Sequence, residues 1–469
     1  MKEFNFMRTM SLYMKTINTR HYIEECSVFE REENQKILEL IGAWLGKLEE
    51  DIKEEILSSY NYPEVMGKYD IEQISDILYE KNDAFKSIVD NMKYVPIQPP
   101  FLTLKTMIDE ILSNVTDEAR AENIYYKNIS EYNFTESKMK NPRYRNKVKE
   151  EIRTKIGHIP DVLSMTVLYH NNPLMWPLIF HEYAHIIFER IKHKDRYSEM
   201  YSRIRVESEN LNLDQVKLDA IISEIFSNIF AINSYQVIYF YAFCFHEIYS
   251  SNMNQLVDFP ENGSHPPSSI RMKYMIREIS KRGFDKDEAF QIVIETQKEF
   301  SDELYRKVDE KADKRILGLF DRIYGEISCL FDDEFIFSRK IEIDHVVIKD
   351  LHDKLRNRYP IGTSYDKNIN LRNDLIHEDI FNIEVNNNVT SMIYAGWKFL
   401  LLDILHSFFT TPSHKAYLKN CRLRSDETDG KKNIEIKVLK FLKEFKFLLS
   451  NIIYSMETSM IVSYYLEGK

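Results

Sequence analysis

The chain has 469 residues, 43% of them hydrophobic, and its 63 basic residues stand against 74 acidic ones for a formal net charge of -11. That length allows two or three domains with sizeable cores, and the acidic balance excludes a chain-wide nucleic-acid footprint while leaving a local basic patch open. With only 12 Gly and 13 Pro the chain is neither collagen-like nor disordered, and its Leu, Ile, Lys and Glu favour helices, while 29 Tyr and 28 Phe leave room for a small sheet.

From the N-terminus, Met1 to Thr19 carries scattered charges and no continuous apolar core, so it does not read as a secretory signal. Glu30 to Tyr60 has helical periodicity, with Ile37, Leu38, Ile41, Trp44, Leu45, Leu48, Ile52 and Ile56 on one stripe. Ile71 to Met92 predicts another helix, and Pro96, Pro99 and Pro100 then mark a boundary. The basic stretch Ser137 to Lys155 reads as a solvated linker or helix face, with an acidic-substrate or nucleic-acid contact as the alternative. Val162 to Tyr169 is strand-like, and Asn171, Asn172 and Pro173 make the turn after it.

A helix is expected from about Pro173 to Pro177 to beyond Glu189, and a second over Asn212 to Ser234, with Leu218, Ile221, Ile222, Ile225, Phe226 and Ile229 apolar. The longest apolar run, Val237 to Phe245, is too short to span a bilayer. Ser264 to Pro267 punctuates, Ser269 to Ser280 resumes a helix, and long amphipathic stretches follow from about Ser301. Cys26, Cys244, Cys329 and Cys421 are far apart and form no C-x-x-C pair, which suggests neither a disulfide framework nor a thiolate metal site.

His181-Glu182-Tyr183-Ala184-His185 carries the chemistry. Two histidines four apart share one helix face, so both imidazoles can reach one tetrahedral ion, and the glutamate between them can act as base on a bound water. The flanking Ile179, Phe180, Ile186, Ile187 and Phe188 are apolar, and burying two His and a Glu among them is costly without a partner. A catalytic site needs a third ligand. Glu224 on the following long helix is the best candidate, with Asp219 and His246 as alternatives.

H-E-x-x-H followed by Glu224-Ile225-Phe226-Ser227-Asn228 resembles the gluzincin metallopeptidases, which carry E-x-x-x-D on the later helix. That resemblance implies a zinc ion held by His181, His185 and Glu224, with Glu182 as general base. It also implies a substrate groove lined by an edge strand, here Val162 to Tyr169. Asn228 stands where the family has an aspartate supporting a zinc-bound histidine, so the support is uncharged here. His265-Pro266-Pro267-Ser268-Ser269-Ile270-Arg271 is similar to the H-P-x-x-x-x-R element of zincins of the heat-shock and prenyl-protein-protease type. It implies a catalytic His265 that stabilises the oxyanion or orients the loop, and an Arg271 that ties the loop to Glu224. Tyr235 and His246 are further oxyanion donors left open.

Near the C-terminus, Leu371-Arg372-Asn373-Asp374-Leu375-Ile376-His377 resembles the R-x4–6-H motif of HEPN domains, helical bundles found in toxin and antiviral ribonucleases. The resemblance implies His377 as acid or base and Arg372 as the group neutralising phosphorane-like charge, paired across a homodimer. Expected helices at Asp302 to Phe331, Ile341 to Arg358, Ser391 to Phe409 and Lys431 to Tyr465 surround the motif.

The expectation is a mainly α protein, α+β in its middle. It comprises an N-terminal helical region (1–95), a zincin-like metallopeptidase domain with a small edge sheet (96–300) and a HEPN-like helical bundle (301–469). Its cofactor would be Zn²⁺ and its partners a protein or peptide substrate, RNA through the C-terminal domain, and a second copy. It would have no membrane span and sit in the cytoplasm, in bacterial defence or stress response by analogy. A metal-independent HEPN ribonuclease with a regulatory zincin domain and a non-enzymatic interaction protein are the alternatives.

Overall fold

A helix that is apolar on every side belongs at the centre of a domain, and residues 215–243 form one. The computed structural model of the chain describes chiefly residues 172–209, 215–249, 265–332, 343–358 and 389–406, with the strands and a few shorter pieces. The expected helices over Glu30 to Tyr60, Ile71 to Met92 and Lys431 to Tyr465, and the basic stretch Ser137 to Lys155, fall wholly or almost wholly outside these residues. So do Arg372 and His377.

The described part is mainly helical. Strands β1 (Ile124–Ile129) and β2 (Asp161–Thr166) pair in parallel, with Tyr126 opposite Leu163. A 3-10 turn, Pro173–Leu178, leads into α1 (Ile179–Ile191), followed by α2 (Asp195–Glu209) and α3 (Gln215–Phe243). A π-helical turn, Cys244–Ile248, ends that run. Then come α4 (Ser268–Arg282), α5 (Glu288–Lys311), α6 (Lys314–Leu330) and α7 (His345–Arg356). A two-residue ladder, β3 (Thr363–Ser364) with β4 (Glu384–Val385), precedes α8 (Val389–Lys398), which runs into a π-helical segment, Phe399–His406. Among the described residues no helix is long and apolar enough to cross a membrane.

The sequence predicted a helix ending near Ser234, but α3 continues to Phe243 and absorbs most of the apolar run. It is not straight: Gln236 sits at φ 50 and ψ -136, which breaks the element into two limbs. An unbroken apolar run has no period from which such a break could be read. Residue 300, where the sequence suggested a boundary, lies inside α5.

α1, α4, α6 and α8 pack around α3. Asp287 locks three of these elements together. It caps α5 by accepting from the Phe290 amide (3.1 Å), and it accepts from the hydroxyls of Tyr241 on α3 (2.9 Å) and Tyr394 on α8 (3.1 Å). Lys398 neutralises it at 3.0 Å. The Trp397 indole donates to the Leu174 carbonyl at 2.9 Å and ties α8 to the turn before α1. Gly396 allows that approach, since a Cβ there would lie 3.0 Å from Leu174 Cδ2 and against Ile452.

Glu278 on α4 is fully buried and receives Asn233 from α3, Arg282 from its own helix, and Tyr324 and Ser328 from α6. With every oxygen satisfied, this carboxylate holds the faces of α3, α4 and α6 in one register.

Candidate metal centre

The residues of α1 explain the placement of its histidines. Phe180, Tyr183, Ala184, Ile187, Phe188 and Ile191 are buried and pin the helix onto α3. This fixes His181 and His185, one turn apart, on the flank that meets the first limb of α3. Their rings lie 4.8 Å apart and nearly perpendicular, at 89°. The limb supplies Glu224, buried at 7% exposure. Glu224 Oε2 is 3.3 Å from His181 Nε2, and Oε1 is 3.5 Å from His185 Nε2.

His181, His185 and Glu224 form a group able to hold a metal ion, one ligand atom from each lying within 4.8 Å of the others. Around an ion with ligand bonds of about 2.0–2.1 Å, a tetrahedron has edges of roughly 3.3–3.4 Å. The two His–Glu separations, 3.3 and 3.5 Å to different oxygens of Glu224, are close to that edge, within a group whose ligand atoms lie up to 4.8 Å apart. Two imidazole nitrogens converge on one carboxylate, a donor set that fits a cation. Two imidazoles and one carboxylate suit a transition metal better than calcium or magnesium.

The supporting residues are also visible. His185 Nδ1 lies 2.7 Å from the Ser223 hydroxyl and 3.2 Å from that of Ser227. His181 Nδ1 lies 3.3 Å from the Tyr239 hydroxyl, which donates to Asn228 Oδ1 at 2.8 Å. Where Asn228 was expected to contact a ligand histidine itself, Tyr239 lies between it and His181. Tyr239, Ser223 and Ser227 were missed in the sequence. The serines had a signal, since they sit four apart around Glu224, but Tyr239 had none.

From the loop before α4, His265 Nδ1 reaches Glu224 Oε1 at 3.0 Å. Arg271, in the first turn of α4, places Nη2 at 3.6 Å from Glu224 Oε2 and 3.4 Å from Asn228 Oδ1, with its guanidinium 5.1 Å above the Phe243 ring. Arg271 Nε is buried with no hydrogen-bond partner. Glu182 is half-buried and stands outside the ligand group.

The other sequence candidates lie elsewhere. Asp219 accepts from the Tyr201 hydroxyl on α2. The Tyr235 hydroxyl is 3.0 Å from Thr390 Oγ1 on α8. His246, on the π-helical turn, has Nε2 3.9 Å from Glu247.

The electrostatics suit a ligand set. Burial pushes His185 down to about 4 against the pull of Glu224, with His181, Arg271 and His265 adding to the depression, so its imidazole is neutral at pH 7. Burial alone would raise the Glu224 carboxyl, but His181, then Arg271, with hydrogen bonds from His181 and His265, hold it well below the usual carboxylate range. Its hydrogen bond to Glu224 raises His265 despite partial burial. Burial works against the Arg271 charge, and the neighbouring Glu224, Glu247, Tyr239 and Glu182 sustain it.

Fold and site together define a mainly helical protein with a buried His–His–Glu group able to hold a metal ion. Comparison of the chain with protein-family models, curated proteins and solved structures gives no match.

Proposed function

We propose that the chain is a zinc-dependent peptidase of gluzincin type that hydrolyses peptide bonds of a protein substrate. The observation that carries this reading is the convergence of His181 and His185, on the helix whose sequence is H-E-x-x-H, with Glu224 from α3, their ligand atoms all within 4.8 Å of one another. Zinc is the ion that best suits two imidazoles and a carboxylate, and when bound it supplies an acidified water and a polarised carbonyl.

The chain's own residues do the rest. Glu182, half-buried beside the ligands, takes a proton from the attacking water and delivers it to the leaving amine. Arg271, charged and buried, holds the Oε2 side of Glu224 in place. His265 holds Glu224 in place from the solvent side. Dense apolar packing on α1 keeps the constellation rigid. In this reading the C-terminal region is a HEPN-like module that regulates or dimerises the peptidase.

The test is metal content with activity. One zinc per chain that is lost in His185→Ala, and Glu182→Gln protein that keeps its zinc while losing turnover of a protein substrate, are the expected results. Full turnover by Glu182→Gln would overturn the mechanism, and absence of zinc after reconstitution would overturn the site.

A further inference from the structure

On the Nδ1 side of His181 the hydrogen bonds have directions that can be assigned one by one, and together they favour hydrogen on that nitrogen. Asn228 Nδ2 lies 2.6 Å from the Glu224 main-chain carbonyl, which can only accept. Asn228 therefore turns its amide nitrogen to the backbone and its oxygen the other way. The orientation is fixed a second time by Arg271, which can only donate and reaches the same Oδ1 at 3.4 Å.

Tyr239 has a single hydroxyl proton, and Asn228 Oδ1 takes it at 2.8 Å. The Tyr239 oxygen can then only accept, and the group facing it at 3.3 Å is His181 Nδ1. The Tyr239 oxygen thus favours hydrogen on His181 Nδ1, with the Nε2 lone pair toward the metal position, against the pull of Glu224 Oε2, 3.3 Å from Nε2, for hydrogen on Nε2.

This contact depends on the shape of α3. Tyr239 follows Asn228 by 11 residues. In a straight helix that is a rise of roughly 16 Å, beyond the combined reach of the two side chains. The reversal at Gln236 closes the gap. A non-glycine residue at φ 50 is strained by about 1–3 kcal/mol, and such strain persists where surrounding structure over-determines it.

We infer that Tyr239 is a positioning residue for His181, acting with Asn228 as an uncharged relay delivered by the reversal of α3. The inference rests on the metal-site reading for its consequence, while the effect of Tyr239 on the ring can be read without metal.

Two measurements on the full chain test it. In metal-free protein labelled with [15N]histidine, the His181 ring should be in the Nδ1–H form, and Tyr239→Phe should shift it toward a mixture. A wild-type ring in the Nε2–H form would overturn the relay whatever the metal result. In zinc titrations, Tyr239→Phe should bind 10- to 100-fold more weakly than wild type, with unchanged helicity. Gln236→Gly should melt higher and keep wild-type affinity. Equal zinc affinity in wild type and folded Tyr239→Phe would overturn the positioning role. Failure of wild type itself to bind zinc would instead overturn the metal-site reading, leaving the nitrogen spectra to judge the relay. If Tyr239→Phe fails to fold, the wild-type spectrum decides.

Discussion

His265 Nδ1 lies 3.0 Å from Glu224 Oε1, a hydrogen bond joining the exposed loop before α4 to the buried carboxylate between the two histidines. It reaches the ligand group from outside, while Arg271 contacts the other oxygen of the same carboxylate from within. One carboxylate thus meets two imidazoles, a third histidine and a guanidinium.

His265→Ala should therefore leave the metal in place and weaken its orientation. The expected outcome is one zinc per chain by elemental analysis, with kcat/KM for a protein substrate lowered roughly 10-fold or more. Complete loss of zinc would show that His265 is itself a ligand.

Acid should destabilise the metal-free protein through His185. Its imidazole is pushed down to about 4 from 6.5, so between these values the unfolded chain binds a proton that the folded chain does not. Stability is present above 6.5 and is lost as pH falls toward 4, at up to about 1.4 kcal/mol per pH unit and about 3 kcal/mol in all. Glu224, depressed below the usual carboxylate range, adds a loss in the same direction at lower pH. His265, raised by Glu224, works in the opposite sense, its contribution vanishing as pH rises. Urea unfolding of His265→Ala across this range should show the decline, and a further His185→Gln change should flatten it.

Metal removal should lower thermal stability. An ion that binds only the folded chain adds about 2.7 kcal/mol at a free concentration 100 times its Kd. Chelation should lower the melting temperature of wild type and leave that of His185→Ala unchanged, as read by calorimetry.

Glu278→Ala should be among the most damaging substitutions away from the metal centre. It strands Arg282, exposed only 11%, and removes the acceptor of Asn233, Tyr324 and Ser328. Breaking a buried pair on one side costs about 3–5 kcal/mol, and the Asp332 contact to Arg282 at 2.9 Å places the value at the lower end. Chemical denaturation measures it, with Glu278→Gln expected to lose less.

The C-terminal motif calls for a separate assay. If it serves only regulation or dimerisation, His377→Ala leaves metal content and peptidase turnover of the isolated protein unchanged and alters its sedimentation. RNA cleavage that survives chelation and Glu182→Gln but not His377→Ala would instead make the chain a metal-independent ribonuclease.

The parts of this protein legible in its sequence are those set by short-range geometry. His181 and His185 face one way because a helix returns to the same face after four residues, and the apolar residues around them announce a buried helix. Glu224 could be singled out because a long apolar helix offered few other carboxylates. The strand near residues 162–169 and the helix over residues 269–280 follow from pattern, whereas the expected helix over 302–331 is broken at Ala312–Asp313 between α5 and α6.

Only the tertiary structure could decide which groups stand around those ligands. Gln has no preference for positive φ, so nothing in residues 233–237 announces the reversal that carries Tyr239 back to His181. The same packing pairs Tyr235 with Thr390 and Asp219 with Tyr201, two residues that the sequence had left open as an oxyanion donor and an alternative third ligand. Side-chain chemistry is written locally, but its neighbours are chosen by how the limbs of α3 fold against α1 and α4, and that choice is governed by burying apolar surface while leaving few buried polar groups unpaired.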